Sequence, residues 1–126
     1  MRVVDTSAWI EWLIGSAAGA RVAEQLPPRR TWVVPTLVQV ELAKWLHREL
    51  DEDRADGVIA FTRTCVAADL DSAIALVAAD LSARHKLAVA DAIVYATALA
   101  YDADVVTCDR DFQRLPNVRF IAKARA

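Results

Sequence analysis

The sequence predicts an α/β protein, an α/β/α sandwich around a mainly parallel sheet. Three features point to it. Short apolar runs rich in β-branched residues (Arg2–Val4, Thr31–Val34, Val105–Thr107) alternate with longer stretches of helical character. The short runs are apolar at successive positions, as strands buried on both faces must be. And 126 residues, 56% hydrophobic and 25% charged, are enough for one buried core and too few for two. A single domain over residues 1–126 is expected.

Arg2–Val4 reads as a buried strand and Ser7–Ile14 as a helix. The small-residue break Gly15-Ser16-Ala17-Ala18-Gly19 leads into a second helix, Ala18–Leu26. Thr31–Val34, aromatic and β-branched between prolines, is a strand. After Pro35, Thr36 is a suitable N-cap for a helix reaching Leu50. Asp53–Thr64 is expected to be helical and Cys65–Ala67 a short strand. Asp71 caps a helix over Ser72–His85, and another follows over Val89–Tyr101. Strand Val105–Thr107, a short helix Asp111–Leu115 and strand Val118–Ile121 complete the chain. No repeat, low-complexity run or Gly/Ser linker interrupts it. In such a sheet, ligands bind beyond the carboxyl ends of the strands, where the strand order reverses. Residues just past the strands are therefore the first candidates for chemistry.

Several classes are excluded early. No run approaches the roughly 20 uncharged apolar residues that span a bilayer, and an acid as early as Asp5 does not suit a signal-peptide core, so a cytoplasmic location is expected. Cys65 and Cys108 show no metal-ligand spacing and only two histidines are present, which disfavours zinc and suits buried reduced thiols. The net charge of −2 opposes a constitutive nucleic-acid binder. Arginine nevertheless outnumbers lysine, and arginine is the residue of bidentate phosphate contacts.

Most of the 17 acidic residues suit helix caps or exposed faces; four, Asp5, Glu41, Asp91 and Asp109, do not. Asp5 follows Val3-Val4 directly, at the carboxyl end of the first strand, where it is an N-cap or a site residue; Thr6 or Ser7 can cap equally well. Asp91 lies in Val89-Ala90-Asp91-Ala92-Ile93-Val94, a helix apolar on nearly every face, so burial is expected. A lone charge there costs several kcal/mol or a large pKa rise, although the helix dipole favours an acid in its first turn. Glu41 lies among Leu37, Val38 and Trp45 on the inward stripe, with Lys44 as its alternative surface partner. Asp109 ends the apolar run Val105-Val106-Thr107-Cys108. Asp111 follows two residues later, and one of the two serves the short helix as a cap; Asp109 is the favoured ligand and Asp111 a near neighbour. Thr107 offers a hydroxyl donor.

Carboxylates gathered at one end of a sheet repel unless a cation joins them. An all-oxygen set suits a hard ion, Mg²⁺ or Mn²⁺, which activates water and stabilises charge on a phosphodiester under in-line attack. From the residues alone, this amounts to metal-dependent phosphoryl-transfer chemistry.

Four ordered motifs, Val3-Val4-Asp5-Thr6-Ser7, Val38-Gln39-Val40-Glu41-Leu42, Ala90-Asp91-Ala92-Ile93 and Val106-Thr107-Cys108-Asp109-Arg110-Asp111-Phe112, resemble the PIN-domain family, and most closely its VapC-type toxins. The resemblance covers essentially the whole chain. It implies a Mg²⁺-dependent endoribonuclease of α/β/α fold, a toxin of a toxin–antitoxin pair, commonly a homodimer and silenced by a VapB-like antitoxin. By the same resemblance, Asp5 and Asp91 are direct metal ligands, Glu41 and Asp109 complete the acidic pocket, and Thr6 or Ser7 supports it. Where the family often carries a basic residue before the fourth acid, this chain has Cys108, and Arg110 is only a candidate for the missing phosphate contact.

Arg29-Arg30 and Arg84-His85-Lys86 are further candidates for RNA phosphates, or solvated faces. His85 is disfavoured as a general base, since a metal activates water without an imidazole. Trp9 and Trp12 are expected to pack in the core or against a partner more than to stack bases. The helices Ser7–Ile14 and Thr36–Leu50, bearing Trp9, Trp12 and Trp45, are expected to frame a groove for the antitoxin. Competing readings are a non-catalytic binding or regulatory module and a nuclease acting on DNA. A phosphoacceptor receiver is disfavoured, because Cys65–Ala67 and Val105–Thr107 offer no acceptor aspartate and partner lysine.

Overall fold

The computed structural model describes residues 1–123. Five parallel strands form one sheet: β1 (Arg2–Val4), β2 (Trp32–Pro35), β3 (Val66–Ala68), β4 (Asp104–Thr107) and β5 (Val118–Phe120). Their order is β3-β2-β1-β4-β5. The chain steps outward from β1 to β3, then returns across the sheet to β4 on the other side of β1. The order therefore reverses between β1 and β4, and a crevice opens beyond their carboxyl ends. The registers Val4 against Val106 and Val3 against Val33 hold the central strands level. Val3, Val4, Val33, Val34, Val105 and Val106 are all fully buried, which is why these strands read as continuous apolar runs.

Among the described residues, six helices flank the sheet: α1 (Thr6–Ile14), α2 (Ala17–Ala23), α3 (Thr36–Glu49), α4 (Glu52–Thr64), α5 (Ser72–His85) and α6 (Val89–Ala100). Asp71 caps α5 as expected, accepting from the Ile74 N–H at 2.9 Å, and Asp51 caps α4 through Arg54 N–H. Lys86 ends α5 in the left-handed conformation (φ 55°), so only Lys86-Leu87-Ala88 separates α5 from α6, and the two pack against each other.

Three expectations need correction. Thr36 is not an N-cap. Pro35 still pairs with Ala68, so α3 starts at once with Thr36 inside it, and the Thr36 hydroxyl accepts from Leu70 N–H at 3.3 Å instead. The second helix stops at Ala23, not Leu26: the residue before Pro27 is driven out of the helical region, and the Gln25 carbonyl is taken by the Arg2 guanidinium at 2.8 Å. The expected helix Asp111–Leu115 is a single 3₁₀ turn, Arg110–Phe112, cut short ahead of Pro116. The other boundaries move by a residue or so, and Arg29–Thr31 forms a 3₁₀ turn leading into β2.

The core contains an aromatic group from three elements. Trp9 of α1 lies 4.8 Å from Trp32 of β2, ring centre to ring centre, and Phe61 of α4 meets Trp32 edge-on at 5.3 Å. Trp9 is fully buried and so unavailable for stacking on bases. Gly19 lets α2 approach α1: a Cβ there would stand 2.0 Å from the Glu11 carbonyl oxygen, a backbone atom that cannot swing away. Gly19→Ala should therefore force the two helices apart and cost about 1–3 kcal/mol. Gly57, inside α4, has open space around its Cβ direction, so Gly57→Ala should stabilise by roughly 0.5–1 kcal/mol. Thermal melts of the two variants should shift in opposite directions; a Gly19→Ala protein melting with the parent would mean the helix contact is looser than described.

Candidate functional site

The opposite ends of β1 and β4 carry very different electrostatics. At the amino ends, Asp104 accepts from Arg2 at 2.8 and 3.0 Å and from Arg119 at 2.8 Å. Burial alone would raise its carboxyl, but the hydrogen bonds and charges of Arg2 and Arg119 outweigh it and hold the group below its usual range. At the carboxyl ends, Asp5, Glu41, Asp91, Asp109 and Asp111 gather. Among the described residues, none of the five takes part in an ion pair.

Asp5 stands at the first position after β1, its N–H held by the Val106 carbonyl at 2.9 Å. It occupies the N-cap position of α1, yet its side chain makes no capping bond. Instead Oδ2 accepts both the Ser7 hydroxyl (2.8 Å) and the Thr107 hydroxyl (2.9 Å). Those hydroxyls in turn accept the N–H groups of Cys108 (3.0 Å) and Asp109 (2.9 Å). The two hydroxyls also lie 3.2 Å from each other, so Ser7, Thr107 and Asp5 Oδ2 form one closed network, and Oδ1 is left without a hydroxyl partner. Burial raises the Asp5 carboxyl, an effect that the Ser7 and Thr107 bonds oppose and Glu41 reinforces. Ser7 and Thr107 are thus the supports of Asp5. Thr6 serves a different acid: its hydroxyl donates to Glu41 Oε1 at 2.8 Å, tying the start of α1 to α3. The alternative for Glu41, a surface pair with Lys44, is not among the ion pairs of the described residues.

Asp91 occupies the first turn of α6. The helix beyond it is buried, as its composition implied, but Asp91 is only half-buried because it lies at the open end. Burial first, and then the charges of Asp109, Asp5, Asp111 and Glu41, push its carboxyl up to about 7. The helix dipole would lower it; burial and the four acidic neighbours outweigh it.

Asp109 accepts the Asp111 N–H at 2.9 Å, so it is the capping residue of the pair. Asp111, assigned only a neighbouring position from sequence, is nonetheless one of three acids whose ligand oxygens come together: oxygens of Asp91, Asp109 and Asp111 lie within 4.8 Å of one another. Asp5 and Glu41 stand outside that group, close enough to act on Asp91 through charge. An oxygen-only set with no cationic partner has the chemistry of a site for a hard divalent ion, and these residues fit one.

The cationic candidates separate. Arg110 is at the site, its guanidinium 6.0 Å above the Phe120 ring. Arg29 and Arg30 precede β2, at the amino end of a parallel sheet and therefore opposite the acids. Arg84 pairs with Asp80 at 2.8 Å. Two residues had no signal in the sequence. Phe120 and Lys123 line a pocket of about 440 Å³ with Ser7, Cys108, Asp109 and Arg110. Phe120 looks like any strand residue until β5 pairs with β4 and sets it against Thr107.

A family model described as "PIN domain" matches residues 2–118. No curated protein sequence matches the chain. Among solved structures, a toxin–antitoxin complex from Klebsiella pneumoniae superposes with a TM-score of 0.84 at 20% identity, over 98% of this chain and 100% of that one. Mycobacterium tuberculosis VapC20, described as a sarcin–ricin loop cleaving toxin, gives 0.73 at 20% identity over 100% of both chains. VapBC2 of Rickettsia felis, bound to a promoter DNA fragment, gives 0.71 at 15% identity over 98% of each. At such identities the likeness is one of fold.

The crowded carboxylates burden the metal-free fold. Between pH 4 and 7 folded Asp91 keeps a proton that the unfolded chain, with an ordinary pKa near 3.9, has released. Stability of the parent should therefore fall as pH rises through that window. In EDTA at neutral pH, Asp91→Asn should melt a few degrees higher, a gain of roughly 1–2 kcal/mol; solvent screening of a half-exposed group keeps this below the full shift. The advantage should vanish near pH 4. A variant melting below the parent throughout would make Asp91 a structural cap.

Proposed function

The chain belongs to the PIN-domain family, and we propose that it is a Mg²⁺-dependent endoribonuclease acting as the toxin of a VapBC-type toxin–antitoxin pair. The observation that carries this reading is the gathering of five carboxylates, unpaired with any cation among the described residues, at the switch point between β1 and β4. A fold-only module has no use for such an arrangement, which lowers its stability without a bound ion.

In this reading Asp91, Asp109 and Asp111 hold the ion, with Asp5 and Glu41 completing the negative wall. Mg²⁺, or Mn²⁺ in its place, supplies Lewis-acid charge for the phosphodiester and activation of the attacking water. The chain's own contribution is geometric. Ser7 and Thr107 fix Asp5 by filling one of its oxygens, Thr6 fixes Glu41, and the Asp111 N–H fixes Asp109. Arg110 lies where it can take a phosphate oxygen of the strand. No histidine is needed.

The partner reading requires a groove, and the one present shares Trp9 and Trp12 of α1 with the expectation but has α4 in place of α3 as its other wall. It lies between α1 and α4, lined by Trp9, Trp12, Leu13, Leu50, Val58 and Phe61 with Arg54 at its side, and has a volume of about 440 Å³. Trp45 of α3 does not line it. An apolar antitoxin segment seated there follows the helix-in-groove mode, and an arginine from it can reach the carboxylates and neutralise them. Exposed Leu76, Val77 and Leu99 on α5 and α6 suit the homodimer expected of this class. Among the described residues, no helix is long and apolar enough to cross a membrane.

RNA cleavage by the purified chain should require Mg²⁺ or Mn²⁺, stop in EDTA, and fall at least roughly 100-fold in Asp91→Asn. Cleavage of DNA with RNA left intact would move the reading to a DNase; no cleavage of either, with metal bound, would leave a binding module. For the partner, Trp12→Ala should weaken antitoxin binding by about tenfold or more, whereas Trp45→Ala should leave it unchanged. Equal losses in both would put the groove elsewhere.

A further inference from the structure

Beside the acids lies a pocket of different chemistry. Ser7, Cys108, Asp109, Arg110, Phe120 and Lys123 line it, so two cations and an aromatic ring adjoin the carboxylate cluster, with Asp109 common to both. Cys108 adds no charge: burial, with Glu11 and Asp5 nearby, pushes its thiol up to about 11. Among the described residues, neither Arg110 nor Lys123 is in an ion pair. The guanidinium of Arg110 stands over the Phe120 ring, 6.0 Å from its centroid, at the outer limit of a cation–π contact, so a base stacking on that face displaces Arg110 outward to the phosphate. The volume, about 440 Å³, is that of a small-ligand site.

We propose that this pocket receives the nucleotide adjoining the scissile phosphodiester of a single-stranded RNA, its base stacked on Phe120 and its outer phosphate held by Arg110 and Lys123. The proposal rests on the nuclease reading and assigns it a substrate subsite. Asp109 fixes the spacing: a phosphate held at the acids and a base in the pocket belong to neighbouring positions of one strand. A base reaches an aromatic face in this way only when it is out of a duplex stack, which selects single strands, loops or bulges. A protein partner would leave two unpaired cations beside an acid cluster with nothing to separate their roles, whereas a nucleotide uses both signs of charge and the ring.

The test uses Asp91→Asn as a non-cleaving background and a labelled ten-nucleotide single-stranded RNA in Mg²⁺. Phe120→Leu should weaken binding roughly tenfold, the loss typical of one stacked base. Lys123→Gln should weaken it several-fold and reduce the slope of log affinity against log salt by about 0.7, one phosphate contact on a single strand. Arg30→Gln, removing an identical charge at the opposite end of the sheet, should change neither. Lys123 is exposed, so its variant reports even if Phe120→Leu folds poorly. Background protein that binds RNA while both pocket variants match it within twofold overturns the subsite and leaves the nuclease reading standing. An Arg30→Gln loss as large as that of Lys123→Gln also overturns it, since the effect would then be general charge. Background protein that binds no RNA removes both.

Discussion

The parallel pairing of β1 with β4 is the constraint on which the site depends. Its register, Val4 against Val106 with the Asp5 N–H on the Val106 carbonyl, joins segments about a hundred residues apart in sequence and brings Asp5 beside Thr107. Shift it by one residue and the side chains of β1 change faces: Val3 and Val4, both buried, would exchange the helices they pack against, and neither Ser7 nor Thr107 could reach Asp5 Oδ2. The hydrophobic demand of the sheet interior and the polar geometry of the site are thus fixed by the same ladder of backbone hydrogen bonds. Because the chain leaves β1 toward β2 and leaves β4 toward β5, on opposite sides of the sheet, neither connection closes over the carboxyl ends of the two strands, and the acids meet in a crevice.

The two ends of the same strands show opposite solutions to burying a carboxylate. Asp104 is surrounded by Arg2 and Arg119 and keeps its charge; its contribution is structural. Burial and four neighbouring acids push Asp91 up to about 7. Stability and binding are in conflict there, as is common at functional sites. The Ser7 and Thr107 hydroxyls ease the cost at Asp5, but neither they nor Thr6 and the Asp111 N–H bond to Asp91. They fix the orientation of the acids so that the repulsion is held in place and is available to an incoming ion.

α1 connects the site to the surface of the molecule. It begins with Thr6 and Ser7, which hold two of the acids, and carries Trp12 and Leu13 into the groove facing α4. At 1.5 Å per residue, the groove lies only about 9 Å along the helix axis from the acids. Gly19 keeps α2 tight against the same helix, and Trp9 anchors it in the aromatic core. A segment seated in the groove therefore lies against a rigid element whose first turn is part of the site.

The sequence by itself determined the α/β class, most of the elements, and the identity of the candidate acids. These follow from local signals: apolar strands buried on both faces, helix periodicity, and carboxylates at positions where an apolar run gives no reason for one. Asp5, Glu41, Asp91 and Asp109 were conspicuous because burial makes a charge expensive wherever it sits. Local signals also misled. Thr36 had the chemistry of a cap, but the extension of β2 through Pro35 left it inside the helix. What only the tertiary structure decided is pairwise and long-range. Ser7 and Thr107 share one oxygen of Asp5 while Thr6 goes to Glu41; Asp111 ranks with Asp91 and Asp109; Arg110 stays with the acids while Arg29 and Arg30 fall at the other end of the sheet. Phe120 and Lys123 carry no pattern in the chain, since a phenylalanine in a short strand and a lysine after it are ordinary. They become a pocket because β5 pairs with β4, and strand pairing between distant segments is set by the packing of the whole core.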